Sequence, residues 1–364
     1  MPGNRVDLLV DGAATFDALF GAIDRADHDL LVQFYTLRDD GLGTEMIDRL
    51  IAAAERGVSV RLYTDAVGSN SLSRRTLRRM EAAGIDGVAQ RRNRPIARRL
   101  QINFRNHRKT VIVDGREAYL GGLNVGDDYM GRNPAFGAWR DSFVRVTGPA
   151  VKQLQLVFAE DWHWLTGTAL RHALDWSPPA PAGRTDALVV ATGPIDGEDG
   201  AAALFFAAIA AAGRRIWIST PYFVPDIALM SALKHAAARG CEVRILVPDT
   251  IDHYLPWLAA FAYFDELRAA GVEIWRYRDG FLHQKALLVD DCLSGIGSTN
   301  FDNRSFRLNF ETMALFLDTD LAARIEQMLQ ADFARSAPLE AGLDEQPWPI
   351  RLGAPVARLF APVL

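Results

Sequence analysis

Cysteine is almost absent from this chain of 364 residues. Cys241 and Cys292 are the only two, which excludes a disulfide scaffold and a cysteine-built zinc site and is compatible with a reducing compartment. An excess of positive charge is missing as well. With 40 Lys and Arg against 45 Asp and Glu the formal charge is −5, so nucleic acid is not an expected partner and any anion site must be local. Long apolar runs are also lacking. Residues 1–10 include Arg5 and Asp7 and have no signal-peptide core. The longest apolar stretch, Ala201–Ala212, falls well short of the roughly 20 residues that a spanning helix needs. The expectation is a chain with no transmembrane segment or signal peptide, lying at most on a membrane surface. What remains, 49% hydrophobic and 23% charged residues, is the composition of a packed globular protein.

Lysine is scarce too, and its placement is informative. Of only four lysines (Lys109, Lys152, Lys234 and Lys285), two stand two places after a histidine. His107, Lys109, Asp114, Gly121 and Asn124 recur as His283, Lys285, Asp290, Gly297 and Asn300, every member displaced by 176 residues. A given histidine meets a lysine at that offset by chance about 1% of the time, so two occurrences with the same aspartate, glycine and asparagine mark an internal repeat.

The surrounding pattern agrees. Each histidine precedes a short β-rich run, Thr110–Val113 or Ala286–Val289, then an aspartate turn and a second short run. Residues i and i+2 of an extended segment share a face, so His and Lys should face one side in each copy. Upstream, Leu30–Tyr35 and Val58–Tyr63 read as buried strands, with helices at Thr44–Glu55 and Leu72–Ala83. In the second copy Ala201–Ala212, Ile227–Ala238 and Leu255–Ala269 read as helices between strands Arg215–Ser219, Glu242–Val247 and Val272–Trp275. Alternating strands and helices predict an α/β fold with mostly parallel sheets, built as two mostly β-α-β halves with pseudo-two-fold symmetry. The expected division is 1–176 and 186–340 for the halves, a Pro- and Ala-rich linker over 177–185, and a tail over 341–364.

Two such sets meeting at one site would offer two imidazoles, two ammoniums and two amides. Imidazole can attack or move protons near neutral pH, and fixed cations suit the charge spread over phosphoryl oxygens. No carboxylate-rich cage for a divalent ion is evident, so neither a metal nor a cofactor is expected.

His-x-Lys-x-x-x-x-Asp in duplicate resembles the signature of the phospholipase D superfamily. The flanks are similar to bacterial cardiolipin synthases: Asp114-Gly, Gly121-Gly-Leu-Asn124, Trp139-Arg-Asp141, Gly148-Pro149, Asp161-Trp162, Thr220-Pro-Tyr-Phe-Val-Pro-Asp226, and Gly297-Ser-Thr-Asn300 through Glu311. The resemblance runs from about Leu30 to Phe333 and is to the short form without N-terminal transmembrane helices. It implies a phospholipase D-type domain in duplicate with the active site between the halves. The implied reaction is phosphatidyl transfer from one phosphatidylglycerol to the alcohol of another through a phosphohistidine. Hydrolysis by a phospholipase is the alternative; a nuclease is disfavoured by the acidic charge, and a non-catalytic lipid-binding scaffold by two intact motifs.

In that scheme His107 is the nucleophile and His283 the acid/base. Lys109, Lys285, Asn124 and Asn300 hold phosphate oxygens, and Ser298 matches a phosphate-contacting position at which its counterpart Gly122 has no hydroxyl. Glu311 and Asp141 are candidates to orient the imidazoles. Asp114 and Asp290 complete the motif and are expected to hydrogen-bond turn backbone. The implied partners are anionic phospholipids and the cytoplasmic face of a membrane, with no protein partner indicated. Between Arg91 and Lys109 eight cations cluster, among them Arg91, Arg92, Arg94, Arg98 and Arg99, a candidate patch for anionic lipid. The aromatic segment Leu255–Phe264 is expected to pack in the core, with insertion into a lipid interface as the other reading.

Overall fold

In the computed structural model, which describes residues 1–88, 104–196 and 199–364, two sheets of matching strand order stand on either side of a shared apolar layer. The first half runs β1 (Arg5–Val10), α1 (Asp11–Arg25), β2 (Asp29–Phe34), α2 (Gly41–Glu55), β3 (Ser59–Thr64) and α3 (Arg74–Ala82). It continues with β4 (Arg105–Asn106), β5 (Thr110–Val113), β6 (Glu117–Gly121), β7 (Trp139–Arg140), β8 (Ser142–Thr147) and α4 (Val151–Thr166). The second half begins β9 (Asp186–Thr192), α5 (Gly200–Ala211), β10 (Arg215–Ser219), β11 (Phe223–Val224), α6 (Ile227–Ala238), β12 (Glu242–Pro248) and α7 (Tyr254–Ala269). Then follow β13 (Glu273–Tyr277), β14 (Phe281–Leu282), β15 (Ala286–Val289), β16 (Leu293–Gly297), β17 (Phe301–Asp302) and α8 (Asn303–Arg307). Last come β18 (Asn309–Leu317), α9 (Thr319–Phe333), β19 (Ser336–Pro338) and α10 (Trp348–Arg358).

The repeat is visible in the sheets. One is ordered β1-β8-β6-β5-β2-β3; the other keeps the equivalent order β9-β18-β16-β15-β10-β12 and adds β13 and β19 at its edge. Neither sheet is mostly parallel. Only β2–β3 is parallel in the first, and β10–β12 and β12–β13 in the second; the other neighbours within these orders are antiparallel. The helical crossovers gave the parallel pairs, but from each motif onward the pairing is antiparallel: a tight turn joins β5 to β6 and β15 to β16, and longer connections containing β7 and β17 return the chain to β8 and β18.

Strand β2 shows how the layers arise. Leu30, Val32 and Phe34 point outward and pack with Met46, Ile47 and Leu50 of α2, which recur at the helical spacing. Leu31, on the other face, joins an inner cluster in which Val151, Leu154 and Phe158 of α4 and Ile325 and Leu329 of α9 meet residues from both sheets. Helix starts follow their caps. Asp40, Ser73, Asp226 and Asp318 each accept a backbone N–H at the first turn of α2, α3, α6 and α9, worth about 1 kcal/mol apiece. Residues 341–364, expected as a tail, contain α10, which lies against α7.

Candidate active site

Two short strand pairs bring the halves together at the motif histidines. β4, which leads into His107, pairs with the start of β18, and the His107 N–H donates to Phe310 O at 2.9 Å. β14, which leads into His283, pairs with β7, and the His283 N–H donates to Arg140 O at 2.8 Å. Each histidine is therefore zipped to the strand of the opposite half that carries a carboxylate on its next residue.

The consequence is a crossed pairing. Glu311 of the second half lies 3.0 Å from His107 Nδ1, and Asp141 of the first half lies 2.8 Å from His283 Nδ1. With both Nδ1 atoms engaged, each carboxylate selects the tautomer of its ring; Nε2 of His107 is left for chemistry, while Nε2 of His283 lies 3.1 Å from Lys285 Nζ. Tyr35 stands edge-on to the His107 ring at 5.0 Å, and Trp139 flanks His283 at 5.2 Å. Both carboxylates are fully buried. Burial works to raise their pKa values, but the bonds and charges of His283 and Lys285 for Asp141, and of His107 and Lys109 for Glu311, hold both below the ordinary carboxylate range.

The lysines share the same faces as expected. Lys109 Nζ donates to His107 O at 2.6 Å, and Lys285 Nζ sits 2.9 Å from His283 Nδ1 while also donating to His283 O. Burial lowers the Lys285 pKa to about 8 and pushes Lys109 well below the usual lysine value, the carboxylates opposing it. Burial also lowers His107, and burial with the Lys285 charge lowers His283 to about 4. At neutral pH the site thus holds the Lys285 ammonium, two carboxylates and two neutral imidazoles, with burial drawing Lys109 toward its neutral form. An arriving phosphodiester anion would disturb that balance in the direction that favours protonating one imidazole.

His107, His283, Asn124 and Asn300 line one cavity of about 800 Å³, with Tyr35, Trp139, Tyr222 and Tyr254 on its walls. Asn124 accepts from the Thr36 N–H through Oδ1, which fixes the amide and leaves Nδ2 only a long contact, 3.3 Å, to Tyr129. Asn300 hydrogen-bonds Asp302, whose carboxyl burial raises to about 6.

Three expected site residues sit elsewhere or act otherwise. Ser298 is buried, and its hydroxyl donates to Glu311 and accepts from the Thr312 N–H at 3.0 Å, so it positions the carboxylate instead of facing phosphate. Its counterpart Gly122 has no side chain for a steric reason: a Cβ there would lie 2.1 Å from Asp141 Oδ1. Asp114 and Asp290 lie at the far ends of β5 and β15 from the histidines, where they bond backbone. At left-handed φ of 51° and 50°, each accepts three backbone N–H groups, Asp27–Asp29 or Gly213–Arg215.

Of the basic run, Arg91, Arg92, Arg94, Arg98 and Arg99 fall outside the described residues. Arg105 lines the cavity, whereas Arg108 is buried on Asp161 of α4 and donates to Glu311 O at 3.0 Å. Its counterpart Gln284 donates to Asp332 of α9 at 2.8 Å, beside Arg140 at 2.7 Å from the same carboxylate. In the aromatic segment, Phe261, Tyr263 and Phe264 are core residues, and only its first turn reaches the cavity mouth.

Sequence reasoning missed Asn309, which donates to Glu311 Oε1 at 3.0 Å and lines the cavity; its place two residues before Glu311 on one strand was the available signal. It also missed a wall cluster in which Tyr222 donates to Asp252 and lies 3.0 Å from His253 Nδ1. The Asp252 bond raises the His253 pKa. Asp252 and His253 have no repeat counterpart, so periodicity gave no signal for them.

A family model described as cardiolipin synthase, PLD-like domain, matches residues 19–162 and 205–333. The whole chain aligns at 43% identity with cardiolipin synthase A of Pseudomonas entomophila, covering 76% of that protein. Cardiolipin synthase A of Pseudomonas aeruginosa (strain LESB58) is likewise 43% identical over the whole chain and 74% of its own length. Among solved structures, phosphatidylserine synthase from Haemophilus influenzae superposes with a TM-score of 0.76 over 99% of this chain and 95% of that one, at 14% identity. Polyphosphate kinase from Porphyromonas gingivalis gives 0.60 over 98% of this chain and 52% of that one, at 16% identity. These last two likenesses concern the fold.

Proposed function

The chain belongs to the cardiolipin synthase family of phospholipase D-like proteins, and from that membership we propose that it is a phosphatidyltransferase joining two phosphatidylglycerols into cardiolipin and glycerol. His107 Nε2 attacks the phosphorus of the first lipid; the bond to the glycerol headgroup oxygen breaks as His283, protonated to the imidazolium once the phosphodiester anion is bound, gives that oxygen a proton. The headgroup hydroxyl of a second lipid, deprotonated by His283, then attacks the phosphohistidine, and the P–N bond breaks to restore neutral His107. Lys109, Lys285, Asn124 and Asn300 hold the phosphoryl oxygens, stabilising charge where it builds up. The observation that carries this reading is the crossed pair of oriented imidazoles facing one cavity.

The test is purified protein with phosphatidylglycerol vesicles and mass-spectrometric product analysis. Cardiolipin with an equal amount of glycerol is the expected outcome; phosphatidic acid alone would replace transfer with hydrolysis. The same proposal places the protein peripherally on the cytoplasmic face of a membrane. Supporting it are the free thiols of Cys241 and Cys292. Among the described residues no helix is long and apolar enough to cross a bilayer.

A pH dependence follows from Lys285. Its folded pKa lies near 8, so it is charged below that value and neutral above it. Affinity for an unreactive phosphodiester, read at each pH, is therefore expected to fall as pH rises through 8. A profile flat to pH 10 would remove Lys285 from phosphate binding.

A further inference from the structure

Helix α10 is two-sided, and among the described residues one side is uncovered. Ile350, Gly353, Ala354 and Ala357 face α7, so closely that a Cβ on Gly353 would lie 2.8 Å from Leu258. On the opposite face Trp348, Leu352, Val356 and Leu359 are exposed to 72%, 68%, 56% and 79%. Their spacing of four, four and three residues puts them in one row along the helix. Scattered apolar side chains are ordinary on a protein surface, whereas a contiguous row marks an interaction face.

Two observations say what covers it. The row continues through the exposed Phe360 to Val363 and Leu364, and these last two line the mouth of the catalytic cavity beside Tyr254, Leu255 and Pro256. Leu364 is held there by its carbonyl, which accepts from the Arg304 N–H at 2.7 Å. Charge is the second. Residues 348–364 carry Arg351 and Arg358 and no acidic side chain, although the protein as a whole is negative. Both arginines fall on one flank of the helix; Arg358 packs over Tyr263 of α7, and an apolar helix face with a cationic flank and a tryptophan at its end is the composition that settles in the headgroup layer of an anionic bilayer.

We propose that the exposed face of α10 is the docking surface by which this protein lies on an anionic phospholipid bilayer, with the cavity mouth held against the lipid at the end of the same apolar row. The inference rests on the reading of the substrate as a bilayer phospholipid. Docked in this way, a lipid reaches the histidines by sliding along Val363 and Leu364 with its chains still covered, instead of leaving the bilayer.

The experiment compares the full chain with its W348S/L352S/L359S variant. None of the three residues touches the catalytic cavity, and all are exposed, so an unchanged Tm is expected. Binding to vesicles of phosphatidylglycerol with phosphatidylcholine should weaken at least tenfold, and turnover of vesicle lipid should fall in step. Turnover of a short-chain phosphatidylglycerol dissolved as monomers should stay within twofold. Unaltered vesicle binding would overturn the proposal, as would equal loss on the monomeric substrate. A wild-type dimer that the variant makes monomeric, with lipid binding unaffected, would reassign the face to a second copy of the chain. If neither form turned over any lipid while the binding difference held, docking would stand and the transferase reading would fail.

Discussion

Replacing His107 or His283 with alanine is expected to lower turnover at least about 1,000-fold, and the double variant should be scarcely worse than either alone, because nucleophile and acid/base act as one unit. The loss stems from two different steps. Without His107 no P–N bond forms, and water or alcohol would have to attack the phosphodiester directly. Without His283 the headgroup alkoxide must leave unprotonated and the incoming hydroxyl must attack with its proton on. The two variants are therefore separable by what accumulates. The His283→Ala protein, given phosphatidylglycerol and quenched, should carry a phosphatidyl adduct on the peptide containing His107, read by mass spectrometry. The His107→Ala protein should carry none. An adduct on His283 instead would exchange the two roles, and more than a few per cent of wild-type activity in both single variants would end the phosphohistidine scheme.

The second large effect concerns the carboxylates. Glu311→Gln and Asp141→Asn are each expected to reduce kcat about 100- to 10,000-fold, the range set by losing the group that fixes a catalytic imidazole's tautomer and stabilises its charged form. The geometry adds a more specific outcome. Because Glu311 bonds His107 and Asp141 bonds His283, each change should disturb the histidine of the other half. With nitrogen-labelled histidine, Glu311→Gln should move the ring resonances of His107 and leave those of His283 nearly in place, and Asp141→Asn the reverse. The opposite pattern would contradict the crossed pairing. Normal thermal stability combined with lost activity would separate positioning from folding, since each carboxylate is buried and replaces its charge by a neutral amide of the same shape.

Much of this site was legible in the residues themselves. The matched spacing picked out both histidines, both lysines and both asparagines, and the structure brings all of them to one place; helical and strand periodicity located the flanking elements to within a few residues. Three things were not legible, each for a physical reason. Which carboxylate serves which histidine depends on β4 meeting β18 and β14 meeting β7, contacts between segments far apart in the chain that no local pattern encodes. Ser298 was read as a phosphate contact because it matches such a position in the resembled family, but its hydroxyl is taken by a neighbour that only the fold supplies. The mostly parallel sheet failed because alternating strands and helices imply crossovers, while the antiparallel return of β8 and β18 onto β6 and β16 depends on long connections that no local period encodes. The end of the chain was passed over since Gly353 and the two prolines within α10 weaken a helical reading that packing on α7 sustains.

The crossed pairing also sets what a half of this protein can be. Residues 1–176 hold the histidine of one pair and the carboxylate of the other, and so do residues 186–340. Neither contains a complete acid–base pair, although each contains a complete motif. Catalytic competence is thus a property of the junction. The covalent connection keeps one surface at high effective concentration around the other. In this arrangement a motif that is intact in sequence says nothing of activity until its opposite number is docked, and any change that loosens the junction switches off both histidines at once.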